Sequence, residues 1–249
     1  MNLPFRITPK TYMFSFLLIL TIIGVIKNSI LKTLPQILIA LVTTIILDVL
    51  INYIKKKKFI PPDSAVITAL FIATALAIGT NWYITLIASA IAILTKHLIK
   101  INNRHIFNPA NIGLLFVGLL FSSTIGWWSA QINWLVIIFG IFIAYKVKRF
   151  YIIIPYLITG LILSLIYVLI TKTILSLGIL FLSINLFFMF FMLTEPMTAP
   201  PRKKSQIVYG IVAAVLTLLF ILFIPRIEAS IGALVLSNLF TPLLNKYLV

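Results

Sequence analysis

Long apolar runs separated by short polar breaks fill this chain, and the runs have the length of membrane-crossing helices. A spanning helix needs about 20 mostly apolar residues. Ten stretches approach or reach that length: Tyr12 to Ile26, Leu34 to Ile54, Ser64 to Ile78, Trp82 to Ile99, Ile106 to Ser123, Ile132 to Tyr145, Phe150 to Ile170, Ile174 to Leu193, Gln206 to Ile224 and Ala229 to Leu248. The third and sixth are short, as tilted half-spans would be. Little chain remains between them, so residues 1–249 read as a single transmembrane domain. The expectation is an all-α polytopic integral membrane protein of about ten helices.

Composition excludes the soluble alternatives. Hydrophobic residues make up 62% of the chain and charged residues 10%, with a mean hydropathy of +1.18, whereas a soluble domain carries about a quarter of its residues charged. Lys and Arg number 20 against 4 Asp and Glu. In a soluble protein that excess would suggest nucleic acid; here it reports topology and attraction to anionic lipid, and no nucleic-acid partner is expected. With the N-terminus inside, the inner breaks hold Arg6 and Lys10, Lys55 to Lys58, Lys96, Lys100 and Arg104, Lys146, Lys148 and Arg149, Arg202 to Lys204, and Lys246. The outside keeps Lys27, Lys32, Lys172 and Arg226. The expected protein is therefore multi-pass in the cell membrane with both termini cytoplasmic. Arg6 and Lys10 before an apolar run imitate a secretory signal, but no small-residue cleavage site follows, so the first span reads as retained.

Cysteine is absent, which removes disulfides, thiolate metal sites and iron–sulfur clusters held by this chain alone. Its two histidines, His97 and His105, are expected at the wet end of a helix, and no metal site is expected. Trp82, Trp127, Trp128 and Trp134 are placed at the outer interface as an aromatic belt.

Polar residues inside an apolar span are costly unless paired, so they are candidates for function. Three clusters interrupt the pattern: Pro61-Pro62-Asp63-Ser64-Ala65-Val66-Ile67-Thr68, Phe107-Asn108-Pro109-Ala110-Asn111-Ile112-Gly113, and Thr194-Glu195-Pro196-Met197-Thr198-Ala199-Pro200-Pro201. Proline frees backbone carbonyls while its neighbours supply donors and acceptors. The topology puts all three at the cytoplasmic end, where they can converge. Helix capping is the competing explanation for each, with Asp63 or Ser64 as an N-cap and Pro109 in a first turn. Asp48, one turn before Asn52, is a candidate for an ion pathway or for pairing with a lysine, and Asn185 and Asn238 for bonds between helices.

These residues carry a resemblance. The Asp63 to Thr68 run, Lys96-His97 leading through a basic turn to Phe107-Asn108-Pro109-Ala110, and Phe191 to Pro200 occur in an order that extends through Tyr209-Gly210 and Ser237-Asn238-Leu239-Phe240-Thr241-Pro242-Leu243. In this the chain resembles the membrane-subunit family that contains RnfD of the Rnf electron-transport complex and NqrB of the sodium-translocating NADH:quinone reductase. The resemblance covers some four-fifths of the chain. It implies a ten-helix fold similar to that of urea transporters, a bound flavin, and electron passage across the membrane in complexes that pump Na+ or H+. Members that bind FMN covalently do so at the Thr of an S-G-A-T motif in the outer loop after the FNPA helix. Here that loop reads Ser122-Ser123-Thr124-Ile125-Gly126-Trp127-Trp128-Ser129-Ala130-Gln131, without the motif, so the flavin expected is noncovalent riboflavin or FMN.

Two functions follow. In the first, the chain is a non-catalytic electron-transfer subunit whose flavin is held by Asp63, Ser64, Thr68, Asn108, Pro109, Asn111, Thr194, Glu195, Thr198 and Asn238, with redox partner subunits supplying the iron–sulfur and NADH sites. In the second it is a transporter or channel for a flavin or another small solute. An even span count also fits an inverted repeat of five helices.

Overall fold

The computed structural model describes residues 8–101, 104–122, 125–130, 133–172 and 185–248. Their helices are α1 (Pro9–Lys27), α2 (Ile30–Lys56), α3 (Asp63–Ala75), α4 (Trp82–Leu98), α5 (Pro109–Phe121), α6 (Asn133–Val147), α7 (Phe150–Thr171), α8 (Lys203–Phe223) and α9 (Ala229–Tyr247). A π-helical turn, Phe188–Met192, precedes the Thr194 to Pro201 turn. Most of the expected span from Ile174 to Leu193 lies outside the described residues. Strands β1 (Lys100–Ile101) and β2 (Arg104–His105) form the hairpin between α4 and α5, with Lys100 opposite His105.

Four helices, α1, α2, α7 and α8, are long and apolar enough to cross a membrane. Their outer faces are made for lipid: Leu38, Val42, Ile46 and Leu50 form one exposed stripe of α2, while Ile37, Ala40, Thr44, Asp48 and Asn52 are buried on the other side. The shorter apolar helices complete the bundle. At 1.5 Å per residue, the thirteen residues of α3 or of α5 extend about 20 Å, less than the hydrocarbon core. Both fall about a third short of a full span.

The chain uses one packing order twice. In the first half α2 lies along α4 and α4 along α5; in the second, α7 lies along α8 and α8 along α9. Proline is the sixth residue of both α2 (Pro35) and α7 (Pro155). Glycine permits the closest approach in each half: a Cβ on Gly113 would strike the Ala88 carbonyl of α4, and one on Gly210 the Ile152 carbonyl of α7. Chain direction reverses between the halves. The end of α2 and the starts of α7 and α8 share a basic end of the bundle, linked through Lys55, His105, Glu195 and Arg149.

The starts of α5 and α9 meet inside the bundle. Asn111, the third residue of α5, donates from Nδ2 to the carbonyl of Ile231, the third residue of α9, at 2.8 Å. From there α5 runs outward beside the chain leading into α9, and a cavity of about 220 Å³ lies between them, with Leu114, Gly118, Ser122, Arg226, Glu228 and Ile231 in its wall.

At the other break, α3 ends inside the protein at Leu76, and its last carbonyls are satisfied by side chains and by a re-entrant segment. Gln36 Nε2 donates to Ala73 O at 2.7 Å and to Leu76 O at 3.2 Å, Trp128 Nε1 donates to Ala73 O at 2.9 Å, and Gly126 N donates to Ala75 O at 2.7 Å. Trp128 is therefore core and not part of an interfacial belt, at 2% exposure, its ring lying against Gly24 of α1. A buried indole finds a partner for its N–H, and the open carbonyls of a broken helix provide it.

Candidate functional site

At the basic end, the first half of the bundle holds a buried charge cluster. Asp48 of α2 is 2% exposed. Its Oδ1 accepts from Lys96 Nζ at 2.8 Å and lies 2.7 Å from His97 Nε2, both on α4; Asn52 Nδ2 donates to its Oδ2 at 3.3 Å. Lys96 Nζ also donates to Ser64 Oγ of α3 at 2.7 Å, and Lys55 Nζ to the carbonyl of His97 at 3.1 Å. Asp48 does pair with a lysine, but with Lys96 of another helix. His97 departs from the expectation of a wet helix end: it is 8% exposed, because Asp48 draws its ring inward.

The second half places a different arrangement at the same end. Glu195 accepts from Thr198 Oγ1 at 3.2 Å, and its other oxygen lies 3.4 Å from His105 Nε2. That contact ties the Thr194 to Pro201 turn to the hairpin leading into α5. Arg149, which precedes α7, is 5% exposed and donates from Nη1 to Pro200 O and from Nη2 to Pro196 O at 3.4 Å. Its Nε has no partner, and among the described residues no carboxylate pairs with it. Burial lowers its pKa below the ordinary arginine value, and the nearby Tyr209 opposes that shift without cancelling it.

Several candidates are occupied in building helices. Asn108 Oδ1 accepts from Asn111 N at 3.1 Å and Pro109 opens the first turn, so the FNPA run is a capped helix start. Thr68 and Thr194 bond back to the carbonyls of Ser64 and Phe190. Asp63 is exposed at the first position of α3, where a carboxylate complements the helix dipole. Asn185 Oδ1 accepts from Phe188 N and so caps a turn. Asn238 of α9 is fully buried and accepts from the hydroxyl of Tyr209 at 2.7 Å.

Among the buried polar atoms without partners are Asn111 Oδ1, Ser237 Oγ, Asn238 Nδ2, Thr241 Oγ1 and Gln206 Oε1, and also Gln36 Oε1 on α2 and Thr85 Oγ1 and Ser89 Oγ on α4. Of these, Asn111 lies on α5 and Ser237, Asn238 and Thr241 on α9, where Asn238 and Thr241 share a face with Ile231, the residue whose carbonyl Asn111 binds. Buried polar atoms are nearly always paired, so this stripe is suited to a polar occupant.

Glu228, the N-cap of α9, was not visible as a site residue in the sequence. Its Oε2 accepts from Ile231 N at 2.8 Å and from Ser230 Oγ at 2.6 Å. Burial raises its pKa above the ordinary glutamate value, and these hydrogen bonds oppose the rise. The sequence signal was its position ahead of a small-residue helix start, Ala229-Ser230. Along the chain Lys96, His97 and Arg149 read only as topological or wet-end residues, because spacing within one stretch does not reveal a partner on another helix.

The loop after α5 lacks the S-G-A-T motif. Ser123, Thr124 and Gln131 lie outside the described residues. Ile125 to Trp128 fold back onto the end of α3, with Ile125 bridged to Leu76.

No curated protein matches the chain. A family model described as the NQR2, RnfD, RnfE family matches residues 6–133 and 126–249. Together these matches run over nearly the whole chain and include every cluster described above, so the chain belongs to the NQR2, RnfD, RnfE family of membrane subunits.

Proposed function

We propose that this chain is the membrane subunit of an Rnf- or Nqr-like electron-transport complex, that it binds riboflavin or FMN noncovalently, and that it passes electrons across the membrane while the complex moves Na+ or H+. The observation that carries the flavin assignment is the stripe of unpartnered buried atoms along α5 and α9. The pyrimidine edge of an isoalloxazine needs both donors and acceptors, and its ring faces need apolar contact. Asn238 Nδ2 donates, Asn111 Oδ1 accepts, the hydroxyls of Ser237 and Thr241 do either, and Leu234 is apolar on the same face of α9.

Bound there, a flavin supplies one- and two-electron chemistry. The chain's own residues hold and orient it. Asn108 and Pro109 set the start of α5; Thr194, Glu195 and Thr198 shape the turn that His105 and Arg149 fasten; Asp63, Ser64 and Thr68 begin α3 at the same end. The basic end faces the cytoplasm in this reading, which brings those residues toward redox partner subunits. The NADH and iron–sulfur sites belong to those partners. Asp48 enters as the candidate for ion coupling.

The test is the absorbance and fluorescence spectrum of the mildly purified protein before and after acid precipitation. Acid-releasable flavin is expected, with its content reduced several-fold in Asn111→Ala and Asn238→Ala. Folded protein without flavin in either fraction would overturn the assignment. A solute pathway is the second reading, favoured by the cavity between α5 and the start of α9. Saturable uptake into liposomes containing this chain alone would establish it, and background flux would remove it.

A further inference from the structure

The basic end carries its lysines in two different ways. On α6, α8 and α9 they rest on aromatic rings: Lys146 Nζ lies 5.4 Å from the centre of the Phe142 ring, Lys203 Nζ 5.1 Å from that of Tyr151 and Lys246 Nζ 5.2 Å from that of Tyr247. The face of a ring receives an ammonium group without a counter-ion.

The ends of α2 and α4 are built otherwise. Lys55 Nζ donates to the carbonyl of His97 at 3.1 Å, which holds the last turn of α2 against the last turn of α4. Lys55 and Lys56 are thereby brought beside Lys96 and Lys100, so that like charges from two helix ends and the following strand crowd together. Partial desolvation and then the charges of Lys55, Lys56 and Lys96 lower the pKa of Lys100 from the ordinary lysine value, and Asp48 offsets only part of this. Among the described residues Asp48 is the one carboxylate in an ion pair with this cluster, and Lys96 and His97 already hold it. Helix dipoles favour lysine in each last turn, but they give no reason for the lysines of one helix to approach those of another. An anion seated between them would remove the repulsion.

The setting decides which anion. In the turns just before these lysines, Leu50, Tyr53 and Ile54 of α2 and Leu94 and Leu98 of α4 are exposed as part of the lipid-facing surface. A cationic cluster that continues into apolar surface fits a molecule with a negative headgroup and acyl chains. We propose that Lys55, Lys56 and Lys100 bind the phosphate headgroup of an anionic phospholipid of the phosphatidylglycerol class, with its acyl chains along the exposed apolar residues of α2 and α4. The lipid then joins the two helix ends from outside, as the Lys55 to His97 hydrogen bond joins them from within. The site lies apart from the flavin stripe on α5 and α9, so either can fail without the other.

Thermal unfolding of the delipidated chain in detergent tests it, with equal amounts of phosphatidylglycerol, phosphatidylcholine or inorganic phosphate added. Phosphatidylglycerol is expected to raise the melting temperature by about 5 °C over phosphatidylcholine, because a ligand of the folded state stabilises it by mass action. Lys56 and Lys100 are both exposed, so Lys56→Gln/Lys100→Gln is expected to fold and to lose most of that shift. Lys203→Gln/Lys246→Gln, which removes two ring-seated lysines, is expected to keep it. Phosphatidylglycerol retained by the unchanged protein in native mass spectrometry, and lost from Lys56→Gln/Lys100→Gln, is the second readout. Equal melting in the two lipids would overturn the proposal. So would an equal loss in both double variants, which would mark attraction to the whole basic end, and so would a shift of the same size with inorganic phosphate, which would make the ligand a free ion.

Discussion

In the first half of the chain Asp48 lies 2.8 Å from Lys96 and 2.7 Å from His97, one carboxylate with two basic partners. In the second half Arg149 is about as deeply buried, yet its partners are the carbonyls of Pro196 and Pro200 and, among the described residues, no carboxylate. Both clusters lie at the basic end, and both tie three segments together. The difference is what each asks of its charge. The acid of the first half fixes where two helices stand relative to a third, whereas the guanidinium of the second half collects carbonyls that the prolines of the Thr194 to Pro201 turn leave without helical donors. A charge can thus serve as one member of a pair or as a source of strong hydrogen bonds, and only the former leaves an opposite charge stranded when it is removed.

That distinction orders the expected effects. Asp48→Asn strands Lys96 and leaves His97 without its acid, and should cost about 3–5 kcal/mol, read as a fall in the midpoint of denaturant unfolding in detergent. A loss below about 1 kcal/mol would mean that the cluster behaves as a solvated pair. Arg149→Met removes strong hydrogen bonds but also removes an uncompensated buried cation, so a net loss of about 1–2 kcal/mol is expected. Faster proteolysis within the Thr194 to Pro201 turn should accompany it. If Arg149→Met proved as costly as Asp48→Asn, a hidden counter-charge would be implied and the contrast would fail.

The helix starts offer a finer comparison. Asn108 caps α5 without charge, while Glu228 caps α9 with a carboxyl whose pKa is raised by burial. Asn108→Ala should cost about 1 kcal/mol at every pH. Glu228 works in the opposite sense with pH. The folded chain keeps its proton after the unfolded chain has released it, so stability declines as pH rises from about 4.3, the ordinary glutamate value, and levels off above the raised pKa. Glu228→Gln should flatten that decline in melting-temperature measurements, and Asn108→Ala should leave its slope unchanged.

Much of this protein was legible along the chain. Apolar runs long enough for helices located nine of the expected segments among the described residues, since burial in lipid or in the bundle demands the same residues either way. The FNPA run marked the start of α5 because asparagine and proline are needed there locally, and the Thr194 to Pro201 run marked a turn because prolines cannot continue a helix. Family membership followed from the order of those same motifs. Partners were another matter. The lysines closest to Asp48 in sequence are not the ones that bind it, Trp128 is core and not interface, and Arg149 looked like one more topological charge.

The division has a physical origin. The apolar runs that become helices and the asparagine–proline start of α5 depend on interactions within a few residues or with the surrounding phase, and these the sequence determined by itself. Which side chains meet across the bundle depends on how helices pack, and glycines such as Gly113 and Gly210 decide that by admitting a neighbouring backbone. Only the tertiary structure could bring Asn111 to the Ile231 carbonyl, seat Trp128 on the end of α3 and set Lys96 between Asp48 and Ser64, because each contact joins residues with no local reason to meet.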